Sequence, residues 1–265
     1  MTAPLVVCDL DGVLWRGADP IPGSAEAVEK LRGAGIRVAF LTNNSGPTPG
    51  DLVEKLGAMG VPAEPGDVLS SAEVAADALQ QVLEPGARVF ACSGPGVVGA
   101  LEAAGFVVVD RAPAAAVVVG YHRTFDYDEL ARASAAVRDG ARLLATNSDA
   151  TFPGADGLLP GNGAIVAAIE TASGVTAEVT GKPHPATVEL VRRRLGAIGV
   201  MVGDRVSTDG ALADALGWPF ALVLSGVSAH DGAPGGEAVP DPPPAFVAAD
   251  LSELVPRLIE ACAPS

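Results

Sequence analysis

What this chain has little of narrows its role first. No uninterrupted apolar run approaches the roughly 18 residues needed to cross a membrane, although 49% of its 265 residues are hydrophobic. The apolar run Leu5–Cys8 is stopped by Asp9 and has no basic flank, so the expectation is a chain with no signal peptide, no membrane partner and a cytoplasmic location. Only three cysteines occur, Cys8, Cys92 and Cys262, odd in number and unpatterned, which speaks against a disulfide framework and fits free thiols in a reducing compartment. Basic residues are scarce as well. Lys and Arg total 17 against 32 Asp and Glu, a formal charge of -15, which argues against nucleic acid as the main partner because backbone phosphates need a basic surface. Three scattered histidines, His122, His184 and His230, cannot make a zinc cluster of their own. Neither G-x-x-x-x-G-K-[ST] nor G-x-S-x-G is present.

What is present is an alternation of strand-like and helix-like runs. Pro4–Leu10 reads as a buried strand, Gly23–Gly33 as a helix and Gly35–Thr42 as a second strand, a right-handed β-α-β opening. A helix over Thr48–Gly60 follows, then a short strand and a helix within Asp67–Leu83. From Glu84 the pattern restarts and closes only near Val179, with strands in ARVFAC, at Phe106–Val109, at Ala115–Gly120 and in ARLLATNSD, a loop at Ala150–Pro160 and a helix at Gly163–Ala172. That block is a complete α/β unit of its own. The expected organisation is a doubly wound, Rossmann-like parallel-sheet core over 1–82 and 180–265, with an α/β domain inserted at 83–179. In the resumed half, strand Ile198–Val202 and helix Asp209–Leu216 precede a Gly- and Pro-rich loop at Ala229–Pro244.

Four chemical signals punctuate this pattern in order: DLDG at Asp9–Gly12, LTNNS at Leu41–Ser45, GKPHP at Gly181–Pro185 and GDRVSTDG at Gly203–Gly210. Each has a plain reading by itself. DLDG is an acidic turn, LTNNS a strand running into a turn, Lys182 a surface lysine, and Thr208 an N-cap. Their placement adds a second reading. Asp9, Thr42 and Asp204 each close a predicted strand, and ligands of open α/β sheets bind beyond the carboxyl ends of strands. Asp9 and Asp11 alternate across Leu10, so both can face one cleft, with Gly12 permitting a tight turn. Two acidic turns on one sheet edge repel unless a cation lies between them. Pro183 makes Lys182 the lead-in to a helix, whose positive end adds to its charge.

DLDGVL, LTNN, GKP and GDRxxTD, in that order over roughly 5–224, together with ATNSD and PGNGAIVAAIE, resemble the haloacid dehalogenase superfamily of aspartate-nucleophile phosphatases. The likeness is to its NagD-like branch, which carries an α/β cap between the second and third motifs. The resemblance implies Asp9 as the nucleophile and Asp11 as the general acid that protonates the leaving alkoxide and then activates water. It implies Mg²⁺ held by Asp9, the backbone carbonyl of Asp11 and Asp204, with Asp209 supporting the metal's waters. Thr42 and the Asn43 amide would grip the phosphoryl group, and Lys182 would offset its charge. Two positions depart from the family pattern: Ser207 stands where an acid is common, and His184 reads as a solvated residue at a helix start.

Asp11 argues against dehalogenation, because halide leaves without a proton. By resemblance, substrate choice falls to the cap loop Asn147–Asp156, with Asn147, Asp149 and Phe152 as contacts and with Ala150, Gly154 and Ala155 leaving room. The expected substrates are small phosphorylated metabolites such as glycerol 3-phosphate or 2-phosphoglycolate, with p-nitrophenyl phosphate as an artificial one; sugar phosphates and nucleotides are the alternatives within the family. Similar proteins form homodimers through the cap, which makes such a dimer an expectation. A competing reading is a dinucleotide-dependent oxidoreductase, because Gly94, Gly96 and Gly99 spell G-x-G-x-x-G after a strand and Asp110 ends the next one. Asp110 falls short of the usual spacing of about 20 residues, and the helix between is brief.

Overall fold

The computed structural model describes residues 4–154, 157–229 and 236–262. Ala155, Asp156 and His230 lie outside the described residues, as does the 230–235 part of the Gly- and Pro-rich segment. The chain divides into two compact units, one of residues up to Thr42, Leu52–Leu69 and Val188 onward, the other of Asn43–Asp51 and Ser70–Thr187. The insert expected over 83–179 lies inside the second.

The first unit is built on six strands in the order Phe246–Ala248, Phe220–Val223, Val200–Gly203, Leu5–Cys8, Arg37–Thr42, Val68–Ser70. Every described pairing among the first five of these strands is parallel. Strands buried on both faces read as continuous apolar runs, and LVVC, VMVG and FALV are buried at every position. The chain works outward from Leu5–Cys8 in one direction and later from Val200–Gly203 in the other. The topological switch point therefore falls between those two strands. Cys8 pairs with Val202 on one side and Phe40 on the other, and Asp9 N–H donates to Val202 O at 2.9 Å. Leu10, Trp15, Leu31, Phe40 and Leu56 fill the core beneath. Truncating a buried ring such as Phe40 to alanine costs about 3–5 kcal/mol in comparable cores.

The second unit has its own all-parallel sheet, in the order Glu178–Val179, Arg142–Ala145, Ala116–Val119, Arg88–Cys92, Val107–Val109. Helix Tyr127–Arg138 starts where the Asp126 carboxylate accepts from Glu129 N–H at 2.7 Å, and it buries Ala133, Ala136 and Val137 against the sheet. One element corrects the sequence reading. The expected loop at Ala150–Pro160 contains an antiparallel strand pair, Thr151–Gly154 with Gly157–Pro160. Its Gly and Pro content suggested a loop because both residues are poor strand formers, but an isolated edge pair tolerates them.

Burial acts on Cys8 in a testable way. Its thiol is fully buried beside Asp9, and desolvation first, then the Asp9 charge, pushes its pKa up to about 12 from 9.0. The unfolded thiol ionises first as pH rises, so the stability this group contributes is complete below pH 9 and is lost progressively toward pH 12. Cys8→Ala is expected to flatten that alkaline decline in thermal melts taken across this window.

Candidate active site

Three neighbouring parallel strands end together, and each delivers one of the predicted residues: Asp204 just after Val200–Gly203, Asp9 just after Leu5–Cys8, and Thr42 at the end of Arg37–Thr42. Carboxylate oxygens of Asp9, Asp204 and Asp209 lie within 4.8 Å of one another. Asp204 and Asp209 are buried, and Asp9 is half-buried. Such a set is costly to hold ionised without a cation. All-oxygen carboxylate donors suit a hard divalent ion.

The local backbone is shaped around these acids. After Gly203 the chain makes a single wide turn, Val206–Gly210, before helix Ala211–Leu216, where the sequence reading placed one helix from Asp209. That π-type turn, a feature often found at functional sites, returns the Asp209 carboxylate to Arg205 N–H at 3.2 Å and packs it on Gly203, whose Cβ would sit 2.2 Å from Asp209 Oδ2. Asp209 thus joins the cluster itself. Asp204 Oδ2 accepts from Val227 N–H at 2.6 Å, and Ser228 Oγ donates to Asp204 O at 2.7 Å.

Asp11 does not belong to the three-acid cluster. It is exposed, and its Oδ1 accepts from Trp15 Nε1–H at 2.8 Å. Trp15 is 1% exposed, with the Lys55 ammonium 4.0 Å above its ring. Partial burial lowers the Lys55 pKa, opposed by the charge of Asp11. Trp15 is therefore a rigid support that fixes the Asp11 carboxylate, a role not visible in the sequence. Ser207 also differs from expectation, since its N–H donates to Glu237 Oε2 at 3.0 Å and its hydroxyl to Glu237 Oε1. An acid is thus held on Ser207 from thirty residues downstream.

In the second unit, the Asn43 side-chain amide clamps the backbone of Lys182. Asn43 Oδ1 accepts from Lys182 N–H at 2.8 Å, and Asn43 Nδ2 donates to Lys182 O at 3.1 Å. Gly181 permits this, because a Cβ there would lie 2.2 Å from Thr146 O and 2.7 Å from Asn43 Oδ1. Lys182 is 4% exposed. His184 N–H donates to Gly181 O at 2.9 Å within the same turn. Asn147 is committed at both ends of its amide, with Nδ2 on Asn43 O at 2.8 Å and Oδ1 on Asp149 N–H at 3.2 Å. Those two bonds brace the Asn43 turn. Phe152 packs edge-on to Tyr121 at 4.9 Å between centroids.

The glycine turn that suggested a dinucleotide is filled by protein. Gly96 N–H donates to Gly46 O at 2.9 Å, and a Cβ at Gly96 would lie 2.3 Å from Pro47 O and 2.4 Å from Ser45 O. These glycines serve close packing of backbone on backbone. No pyrophosphate can use that approach.

Residues 6–107 match the family model described as haloacid dehalogenase-like hydrolase, and residues 179–254 match a HAD-hydrolase-like model. An acid sugar phosphatase of Staphylococcus aureus strain USA300 is 35% identical, over 94% of this chain and 96% of its own length. Among solved structures, the magnesium complex of a glycerol phosphate phosphatase from Mycobacterium tuberculosis superposes with a TM-score of 0.83 at 34% identity, covering 96% of this chain and 78% of that one. A p-nitrophenyl phosphatase from Archaeoglobus fulgidus gives 0.84 at 29% identity, covering 97% and 100%. The chain belongs to the haloacid dehalogenase-like hydrolases. Within that family it is a phosphatase with a NagD-like fold. No helix among the described residues is long and apolar enough to cross a membrane.

Proposed function

We propose that this phosphatase hydrolyses small phosphomonoesters of the glycerol 3-phosphate or 2-phosphoglycolate type through an aspartyl-phosphate on Asp9. The observation that carries the reading is the meeting of Asp9, Asp204 and Asp209 within 4.8 Å at the switch point, one strand from Thr42. A carboxylate oxygen of Asp9 attacks phosphorus and the ester P–O bond breaks. Asp11 gives its proton to the departing alkoxide, then takes a proton from the water that attacks the acyl phosphate. Inorganic phosphate leaves and Asp9 is regenerated. Thr42 and Asn43 bind phosphoryl oxygens, and Lys182 offsets their charge. The three carboxylates fit Mg²⁺, which when bound would neutralise phosphoryl charge. The segment 83–179 acts as the cap, and Asp149 and Phe152 read the alcohol half of the ester.

The substrate class draws support from the names of the similar enzymes, one acting on glycerol phosphate and another on sugar phosphates. Phosphate release should be measured over p-nitrophenyl phosphate, glycerol 3-phosphate, phosphoglycolate, sugar phosphates and nucleotides, with Mg²⁺ and with EDTA. EDTA-sensitive release with the three-carbon or two-carbon esters preferred is the expected result. Preference for hexose phosphates would reassign the substrate, and EDTA-resistant turnover would overturn the metal. Trp15→Phe removes the one hydrogen bond described between this ring and Asp11 and keeps the packing. It is expected to lower kcat about 10-fold, with KM little changed and with the acidic or basic limb of the pH–rate profile displaced.

A further inference from the structure

The second unit holds a cluster of metal-ligating side chains that the phosphatase chemistry does not use. Cys92 ends strand Arg88–Cys92, His122 follows strand Ala116–Val119, and Glu129 lies in the first turn of helix Tyr127–Arg138. Their ligand atoms lie within 4.8 Å of one another. They meet at the carboxyl edge of a parallel sheet, the edge at which such sheets bind ligands. Cys92 is fully buried, and the His122 and Glu129 side chains are 7% and 15% exposed, so the cluster is nearly dry and reachable from one side.

One ring nitrogen faces both partners. His122 Nε2 is 4.0 Å from Cys92 Sγ and 3.6 Å from Glu129 Oε2. Good N–H···O bonds span about 2.7–3.2 Å, so the second contact is too long for one and the first is at the limit for sulfur, while the Cys92 thiol donates a hydrogen bond to the Glu129 carboxylate. The spacings instead approach those across a tetrahedral zinc ion, whose bond lengths place sulfur and nitrogen about 3.6 Å apart and nitrogen and oxygen about 3.4 Å apart. A contraction of a few tenths of an ångström closes the site. The other ring nitrogen is already placed as a zinc ligand requires. His122 Nδ1 lies 3.1 Å from Thr124 Oγ1, and a hydrogen bond donated there leaves Nε2 with a lone pair toward the cluster. Arg132, the cation that acts on Cys92, has its guanidinium Nε engaged with Asp110 O at 3.1 Å.

We infer that Cys92, His122 and Glu129 form a binding site for a thiophilic divalent cation of the Zn²⁺ class, which ties together a strand end, a loop and a helix start in the second unit. A thiol and an imidazole beside one carboxylate select zinc over magnesium, which takes oxygen donors. Three protein ligands leave a fourth position for water. In the absence of a cation, burial and the Glu129 carboxylate keep the thiol protonated. Binding therefore releases the Cys92 proton to solvent as the sulfur–metal bond forms. This site is independent of the acid cluster in composition and in readout.

Co²⁺ as a spectroscopic stand-in for zinc decides the matter. The full chain, reduced, stripped with chelator and titrated anaerobically, is expected to develop a near-ultraviolet thiolate-to-cobalt charge-transfer band that saturates at one equivalent and is bleached by Zn²⁺. Asp204→Asn should keep the band, because a carboxylate cluster produces none. Cys92→Ser, His122→Gln and Glu129→Gln should each abolish it or weaken binding at least tenfold. In the Asp204→Asn background, where the acid cluster is weakened, Zn²⁺ should raise the Tm, and adding His122→Gln should remove most of that gain. No band in the parent chain at excess Co²⁺ would overturn the site. So would a band that survives in Cys92→Ser, or one that survives unchanged in both His122→Gln and Glu129→Gln, since the latter two alter partly accessible side chains and keep the buried thiol in place.

Discussion

Asp9→Asn is expected to abolish phosphate release, by on the order of 10⁴-fold or more in kcat, and to leave the fold intact. The carboxamide keeps the shape of the side chain but cannot attack phosphorus, and it removes one of three charges from the acid cluster. Stability should rise or hold in the absence of metal. Asp204 and Asp209 are buried, and relieving them of a third like charge within 4.8 Å removes repulsion. Asp9 itself is only half-buried, and the strand that presents it is held by Val6, Val7 and Cys8, which the substitution does not touch. The measurement pairs single-turnover phosphate release with thermal melts, with and without Mg²⁺. A variant that melts like the parent and still turns over within tenfold of it would rule out Asp9 as nucleophile. A variant that is inactive only because it unfolds would show up in the melt. The parent chain should also gain more Tm from Mg²⁺ than the variant does, because stabilisation by a ligand grows with the logarithm of its affinity for the folded state.

Much of this site is legible in the sequence. Apolar runs announced the strands, and an acid or threonine at the end of each run announced the edge where they meet, because parallel strands of one sheet open on the same side. Asp9, Thr42 and Asp204 converge for that reason alone. Other features depend on geometry that spacing does not encode. The bond from Trp15 to Asp11 arises because the turn after Leu10 brings Trp15 back under the carboxylate, with Leu14 N–H on Leu10 O at 2.9 Å. Asp209 enters the cluster through a wide turn that a helical pattern starting at Asp209 does not distinguish from an ordinary first turn. Glu237 reaches Ser207 from a segment without regular structure, so no periodicity links the two. The three scattered histidines gave no zinc pattern. His122 instead finds a thiol and a carboxylate from two other elements, a combination with no fixed spacing. The glycines at 94 and 96 misled in the opposite direction, since a turn that admits a phosphate also admits a neighbouring backbone.

Gly12→Ala tests whether the acid cluster depends on the backbone as closely as the geometry requires. Gly12 has φ of +84°, a left-handed conformation that costs an L-residue roughly 1–2 kcal/mol. A Cβ built there lies 2.3 Å from Asp204 Oδ2 and 2.5 Å from Asp204 Cγ, so the carboxylate must move. It has little room to do so. Asp204 is 4% exposed, and its Oδ2 already accepts from Val227 N–H at 2.6 Å. The approach is closed from a second side as well, because a Cβ at Gly226 would lie 1.9 Å from the same oxygen. Two glycines thus form the cradle in which one carboxylate oxygen rests. Meanwhile Gly12 O accepts from Ser225 Oγ at 2.6 Å, so the turn cannot shift away without losing that bond too. The expected result is a loss of about 10²-fold in kcat, since misplacement by about 1 Å costs that much in a positioned site. A higher Mg²⁺ concentration should be needed for half-maximal activity, and the Tm should fall by several degrees, about 2–4 °C for each kcal/mol in a chain of this size. Mg²⁺ titration of activity separates the two effects. Strain alone would lower Tm and leave the Mg²⁺ requirement unchanged, whereas displacement of Asp204 moves both, and an alanine variant with the parent's Mg²⁺ requirement and turnover would mean that Asp204 does not hold the ion.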